Sequence, residues 1–152
     1  MIIRDADSKD YVQLKNIGML CYEKTVDYKQ QSWITRFLFK RYFSKNKFKD
    51  RYCLGVLIRC LEVENSVVGF YELEESGCLS SLYVLPEQHK KGYGKMLLKD
   101  AIQQAKLKKI KEIYLDSSLY AVNFYKKYGF KEVKKPTVIL GVWMQRMKNK
   151  ID

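Results

Sequence analysis

The chain is poor in the residues that build metal and thiol chemistry. It has one histidine, His89, and four cysteines, Cys21, Cys53, Cys60 and Cys78, none of them in a C-x-x-C pair. A zinc site wants clustered Cys and His, so no metal is expected. A cysteine nucleophile needs a base beside it, and the one histidine sits in a loop of glycine and lysine, which argues against Cys–His catalysis. Long apolar runs are missing too. The best stretch, Cys53 to Leu61, is interrupted by Arg59, far short of the roughly 20 residues of a membrane span. The opening Met1-Ile2-Ile3-Arg4-Asp5 lacks the basic-then-apolar layout of a secretory signal. With widely spaced free thiols, these absences make the cytoplasm the expected compartment and a membrane an unexpected partner.

What is present suits one globular domain, residues 1–152, with 47% apolar residues, twelve Tyr and seven Phe. Acidic groups are outnumbered, 17 against 29 Lys and Arg, for a net charge of +12. Such a balance favours anionic partners, nucleic acid or acidic membrane surfaces among them. Much of it, however, is lysine strung along Lys106 to Lys111 and Lys148 to Lys150, as on a solvated face.

Ile2-Ile3 opens a short strand, and Asp7 or Ser8 can cap a helix reaching about Tyr22, with Val12, Leu14, Ile17, Leu20 and Cys21 near helical spacing. A second helix is expected over Gln30 to Phe43, its apolar side made by Trp33, Phe37, Leu38 and Phe39. Cys53–Glu62, Val67–Leu73 and Cys78–Val84 read as an antiparallel meander, with turns at Glu64-Asn65-Ser66 and Glu74-Glu75-Ser76-Gly77. A helix from Gly92 to about Lys108 follows, with Met96, Leu97, Ala101, Ile102 and Ala105 inward. Then come a parallel strand at Glu112–Asp116 and a short helix from Ala121 to Tyr128. Phe130–Lys134 and Thr137–Met147 complete the sheet.

One junction in this order carries chemistry. Leu82-Tyr83-Val84 delivers the chain to His89-Lys90-Lys91-Gly92-Tyr93-Gly94-Lys95, which opens a helix. The first turn of a helix has unpaired N–H groups and the positive end of the dipole, and glycines let a ligand approach the backbone, so this is a phosphate site in outline. The loop has neither the third glycine of a dinucleotide fingerprint nor the Gly-Lys-Ser/Thr ending of a P-loop. A second segment, Ser118 through Ala121, Phe124-Tyr125 and Gly129-Phe130, follows the next strand.

Together the two segments resemble the GNAT superfamily of acyl-CoA-dependent N-acetyltransferases. Its loop, Gln/Arg-x-x-Gly-x-Gly/Ala, is matched by His89 to Gly94, and its later Asn/Ser, Ala, Phe-Tyr and Gly-Phe element by Ser118, Ala121, Phe124-Tyr125 and Gly129-Phe130. The resemblance implies an α/β fold with a mixed, mostly antiparallel central sheet, a splayed parallel strand pair and flanking helices. It implies acetyl-CoA as co-substrate and direct attack by a primary amine. Main-chain groups of Leu82, Tyr83 and Val84 would hold the pantetheine, with the Leu82 N–H facing the oxyanion. The loop from His89 through Lys90, Lys91, Gly92, Tyr93, Gly94 and Lys95 would hold the pyrophosphate, with Ser118 as a further contact. Tyr125 would be the general acid and Glu72 a candidate base, since Glu72 and Glu74 share one face of the preceding strand. Two positions depart from the family: His89 replaces Gln or Arg, and Ser118 replaces the commoner Asn. The aromatic stretch from Trp33 to Phe48 is a candidate acceptor wall whose cations disfavour polyamines and aminoglycosides. Two other readings stand beside this one: a basic nucleic-acid-binding module, and a CoA-binding sensor without catalysis. A monomer and a homodimer built on the strand Val138-Leu140-Val142 are both compatible with the sequence.

Overall fold

The computed structural model describes residues 1–25, 32–139 and 141–151. The chain forms strand β1 (Ile2–Asp5), helices α1 (Tyr11–Thr25), α2 (Trp33–Tyr42) and α3 (Lys45–Cys53), then strands β2 (Leu57–Val63), β3 (Ser66–Leu73) and β4 (Leu79–Val84). Helix α4 (Tyr93–Leu107), strand β5 (Glu112–Ser118), helix α5 (Val122–Lys126) and strands β6 (Lys131–Glu132), β7 (Thr137–Ile139) and β8 (Val142–Lys150) complete it.

The strands make two antiparallel sheets, β1-β2-β3-β4 and β5-β8-β6, with β7 also paired to β8. They touch through a parallel bridge between Cys78 and Tyr114, where the Tyr114 amide donates to the Gly77 carbonyl at 3.0 Å. Gly77 makes this joint possible. Its φ is +87°, and a Cβ there would collide with the carbonyl oxygen of Glu112. Beyond the joint no described pairing links β4 to β5. The splayed parallel pair expected from the sequence is therefore present.

Two apolar clusters cover the two faces of the first sheet. Leu14, Ile17, Phe43, Phe48, Cys60 and Phe70 pack under α1, α2 and α3. Tyr71, Leu97, Leu98, Ala101, Ile113 and Met147 pack under α4. β3 feeds both clusters, because alternate residues face opposite ways: Phe70 to one, Tyr71 and Leu73 to the other. Each fully buried Leu, Ile, Phe or Met among them contributes about 1.5–3 kcal/mol.

Several boundaries and faces differ from the sequence reading. Helix α1 starts at Tyr11, not Asp7 or Ser8, since the Asp10 carbonyl takes the first helical amides. Val12 and Leu20 stay exposed, as do Trp33 (72%) and Phe37 (57%) on the expected apolar side of α2. Of the four residues expected on that side, Phe39 is the one that stacks on a neighbouring helix, against Tyr22. The expected start of this helix at Gln30 lies outside the described residues. Cys53 ends a helix instead of starting a strand: the Ser44 hydroxyl caps α3 by accepting from the Lys47 amide. The expected strand Thr137–Met147 is folded into a hairpin, with Ile139 paired to Val142, and Leu140 lies outside the described residues.

Candidate active site

The gap between β4 and β5 opens into a cavity of about 790 Å³. Its walls come from β4 (Leu82, Tyr83, Val84), the Gly loop and first turn of α4, the end of β5 (Ser118), α5, and side chains of α1, α2 and β8. The β4 wall presents backbone. The Leu85 amide donates across the sheet to the Val68 carbonyl at 2.8 Å. Successive strand amides face opposite edges, so those of Leu82 and Val84 face the gap. The Val84 carbonyl also points away from β3, accepting from the Cys21 thiol at 3.1 Å and meeting His89 Nε2 at 2.9 Å.

Gly92 caps α4 with φ +84° and no side-chain cap bond. A Cβ added there would meet nothing within 4 Å, so the space over the first helical turn is open. The left-handed conformation and the open approach together call for glycine. The amides of the first turn have no intrahelical partners and carry the positive end of the helix dipole. Lys90, Lys95 and Lys127 stand around this end of the cavity. Its donor set matches a pyrophosphate, and the unpaired β4 edge matches an extended amide-bearing arm.

Tyr125 lines the same cavity. The α5 turn sets its ring against Phe124 (5.1 Å between centroids) and Phe130 (5.6 Å). It is 7% exposed, and burial pushes its phenol well above the ordinary tyrosine range, so it stays protonated near neutrality. Among the described residues its hydroxyl has no hydrogen-bond partner, and its proton is free for a ligand.

Glu72 lies elsewhere. It is 0% exposed, absent from the cavity lining, and both of its oxygens are engaged. Arg51 Nε donates to Oε1 at 2.6 Å and Ser81 Oγ to Oε2 at 2.6 Å. Arg51 is clamped between the rings of Tyr42 and Phe48, 4.5 and 4.6 Å from their centroids, and its Nη1 donates to the Tyr42 carbonyl. Burial pushes the Glu72 carboxyl up, against the opposing pull of Arg51 and Ser81. Lys91 also stands off the cavity lining, with its Nζ donating to Gln88 Oε1. The remaining sequence-named positions are brought together in the cavity: Leu82, Tyr83, Val84, His89, Lys90, Gly92, Tyr93, Gly94, Lys95, Ser118 and Tyr125. The sequence reading missed Cys21, Tyr22, Asn123 and Met144, which line it as well. Cys21 and Tyr22 carry no motif, and periodicity marks Cys21 only as core.

Residues 25–151 match the family model described as an acetyltransferase (GNAT) domain. This chain belongs to the GNAT acetyltransferase family. An N-alpha-acetyltransferase of Sulfurisphaera tokodaii is 35% identical over 92 residues, 48% of this chain and 55% of that protein. The chain thus matches about half the length of that curated relative. Among solved structures, the PaiA N-acetyltransferase of Thermoplasma acidophilum, in complex with coenzyme A, superimposes with a TM-score of 0.82 at 25% identity, covering 98% of each chain. A GCN5-related N-acetyltransferase of Rhodopseudomonas palustris shares the fold with a TM-score of 0.81 at 20% identity, over 98% of this chain and 94% of that one. GNAT membership and the mixed, splayed GNAT sheet agree with the expectation drawn from the two motifs.

Proposed function

We propose that the protein transfers an acetyl group from acetyl-CoA to a primary amine by direct attack within the β4–β5 cavity. The observation that carries this reading is the convergence in one cavity of three features: the gap-facing amides of Leu82 and Val84, the open helix N-terminus at Gly92, and the protonated Tyr125. Acetyl-CoA supplies the activated thioester. The residues from Gly92 to Lys95, with Lys90 and Lys127, fit its pyrophosphate, and the gap-facing groups of Leu82 and Val84 fit its pantetheine arm.

Within that frame the Leu82 N–H is the oxyanion donor. A preorganised amide in a site closed to water acts more strongly than in solvent and costs no reorganisation during reaction. Tyr125 holds the proton that the departing thiolate needs, and general-acid assistance of this kind contributes about 10²–10⁴-fold. His89 contacts the Val84 carbonyl, so in this reading it holds the loop against β4. Glu72 orients Ser81, the β4 residue before Leu82, and so supports the strand that carries the oxyanion amide.

A nucleic-acid-binding reading would need the basic residues on one face. They are spread instead, with exposed Lys15 and Lys24 on α1, Lys45 and Lys49 on α3, Lys99 and Lys106 on α4, and Lys148 and Lys150 on β8. Thermal unfolding with acetyl-CoA, and separately with a short RNA at equal ionic strength, tests the choice. Acetyl-CoA at a hundred times its dissociation constant should stabilise by about 2.7 kcal/mol. No shift with acetyl-CoA and a salt-sensitive one with RNA would overturn the acetyltransferase reading.

A further inference from the structure

Helix α2 packs by one side. Thr35, Phe39 and Phe43, four residues apart, lie on the stripe that turns inward: Thr35 and Phe43 are buried, and Phe39 stacks on Tyr22. The stripes on the opposite side, Trp33-Phe37-Arg41 and Ile34-Leu38, are exposed, Ile34 at 52% and Leu38 at 37%. Four large apolar side chains therefore share one open face. Helix α4, by contrast, turns Leu97, Leu98, Ala101 and Ala105 inward. A contiguous exposed patch of this kind marks an interaction surface.

The charge around the patch has one sign. The charged residues of α2 are Arg36, Lys40 and Arg41, with none acidic. Past the Ser44 cap, Lys45, Lys47 and Lys49 follow on α3 before its first carboxylate, Asp50. A hollow of about 530 Å³ lies at this corner, lined by Arg41, Ser44, Asn46, Lys47, Lys49 and Asp50. Asp50 is taken by Lys47 at 3.0 Å. Lys40, Arg41, Lys45 and Lys49 form no ion pair among the described residues. Arg41 belongs to both features. It ends the Trp33-Phe37 stripe and lines the hollow, so the apolar patch and the basic hollow are one continuous surface.

We infer that this face rests on an anionic lipid surface, with Trp33, Ile34, Phe37 and Leu38 among the headgroups and upper chains and the cations of the α2–α3 corner on the lipid phosphates. Aromatic and aliphatic side chains on one helix face, with Lys and Arg beside them, suit a helix lying in the membrane interface, and tryptophan is enriched at that depth. The expectation against a membrane partner rested on the lack of a spanning run, which a helix lying in the surface does not need. Two other occupants fit less well. A second copy paired across a two-fold axis would bring Lys40 and Arg41 toward like charges. A nucleic acid gains nothing from Ile34 and Leu38, which have no ring for a base to stack on. The inference is independent of the acetyltransferase reading.

The test uses the full chain carrying Trp143→Phe, which leaves Trp33 as its sole tryptophan. Vesicles of phosphatidylcholine with about one third phosphatidylglycerol should shift the Trp33 fluorescence to shorter wavelength and carry the protein into the vesicle pellet. Vesicles of phosphatidylcholine alone should do neither, and added salt should weaken the binding. Phe37→Ser with Leu38→Ser and, separately, Arg41→Glu with Lys49→Glu should each lower the partition coefficient by about tenfold or more, with unfolding temperature near that of the parent. No binding to the anionic vesicles, or undiminished binding in both folded variants, would overturn the inference. Equal binding to both kinds of vesicle would overturn its anionic character. A salt-sensitive shift with a short RNA and none with vesicles would overturn it in favour of nucleic acid. A dimer in light scattering that either variant disperses, without vesicle binding, would overturn it in favour of a second copy.

Discussion

Glu72 and Tyr125 are both buried, both titratable, and both named by the sequence as candidates for proton transfer, yet their surroundings are opposite. The Glu72 carboxylate is enclosed by Arg51 and Ser81, with Tyr42 and Phe48 against the guanidinium. The Tyr125 phenol packs against the rings of Phe124 and Phe130 within an apolar cluster and lines the cavity. A satisfied buried polar group fixes structure, whereas one whose partner must come from outside is available for chemistry. Burial alone therefore does not separate the two roles. The partner list does.

The contrast predicts two different kinds of damage. Replacing Glu72 by Ala strands the Arg51 charge in a buried site, and breaking such a pair costs about 3–5 kcal/mol. The expected result is a large loss of thermal stability, with Glu72→Gln milder because it keeps an acceptor for Ser81 and Arg51. If calorimetry instead shows near-native stability for Glu72→Ala and activity is abolished, the structural role assigned to Glu72 is wrong. Tyr125→Phe should do the reverse. Turnover should fall by about 10²-fold or more, while unfolding temperature and acetyl-CoA affinity stay near wild type. Normal turnover in that variant would remove the general-acid role.

A third substitution probes the cofactor end without touching either group. Gly92→Val places a β-branched residue at φ +84° in the mouth of the cavity, a backbone conformation that costs about 1–3 kcal/mol. Acetyl-CoA binding by calorimetry should weaken at least tenfold, and affinity at the wild-type level would mean that the loop does not carry the phosphates. The smallest effect expected is a pH dependence far from the cavity. Arg4 donates to both Asp10 oxygens at 2.7 and 2.9 Å and holds that carboxyl below the usual carboxylate range. Stability from this lowered group is present above the unfolded value near 4 and is lost as pH falls through the folded value. Melting curves from pH 6 down to about pH 2 should show a decline that Asp10→Asn flattens. An identical decline in the variant would assign it to other carboxylates.

The C-terminal two thirds of the chain was the more legible part. The Gly loop, the following helix and the Phe124-Tyr125 element are local patterns whose spacing dictates strand, turn and helix, and the cavity contains most of the residues they named. The N-terminal third was read less well. Helix α3 depends on a Ser44 cap and on Arg51 finding Glu72, 21 positions away. Trp33 and Phe37 are exposed although their spacing suits a core face, while Phe39, from the same expected side, and Phe43 at the helix end pack on Tyr22 and Tyr83. Composition could not separate Glu72 from Glu74 as candidate bases, since alternation places both on one face and says nothing of what that face meets.

By itself the sequence determined the strand, Gly-loop and helix junction, because helix N-termini, glycine conformations and strand periodicity are set by residues close together in the chain, and the resemblance of its two motifs to the GNAT family supplied the rest. Which side chains meet in the cavity, and which buried group is left without a partner there, were decided only by tertiary structure. Tyr22, Phe39, Tyr125 and Met144 reach one cavity from three helices and a strand, and which buried group keeps an open valence depends on contacts between residues far apart in sequence.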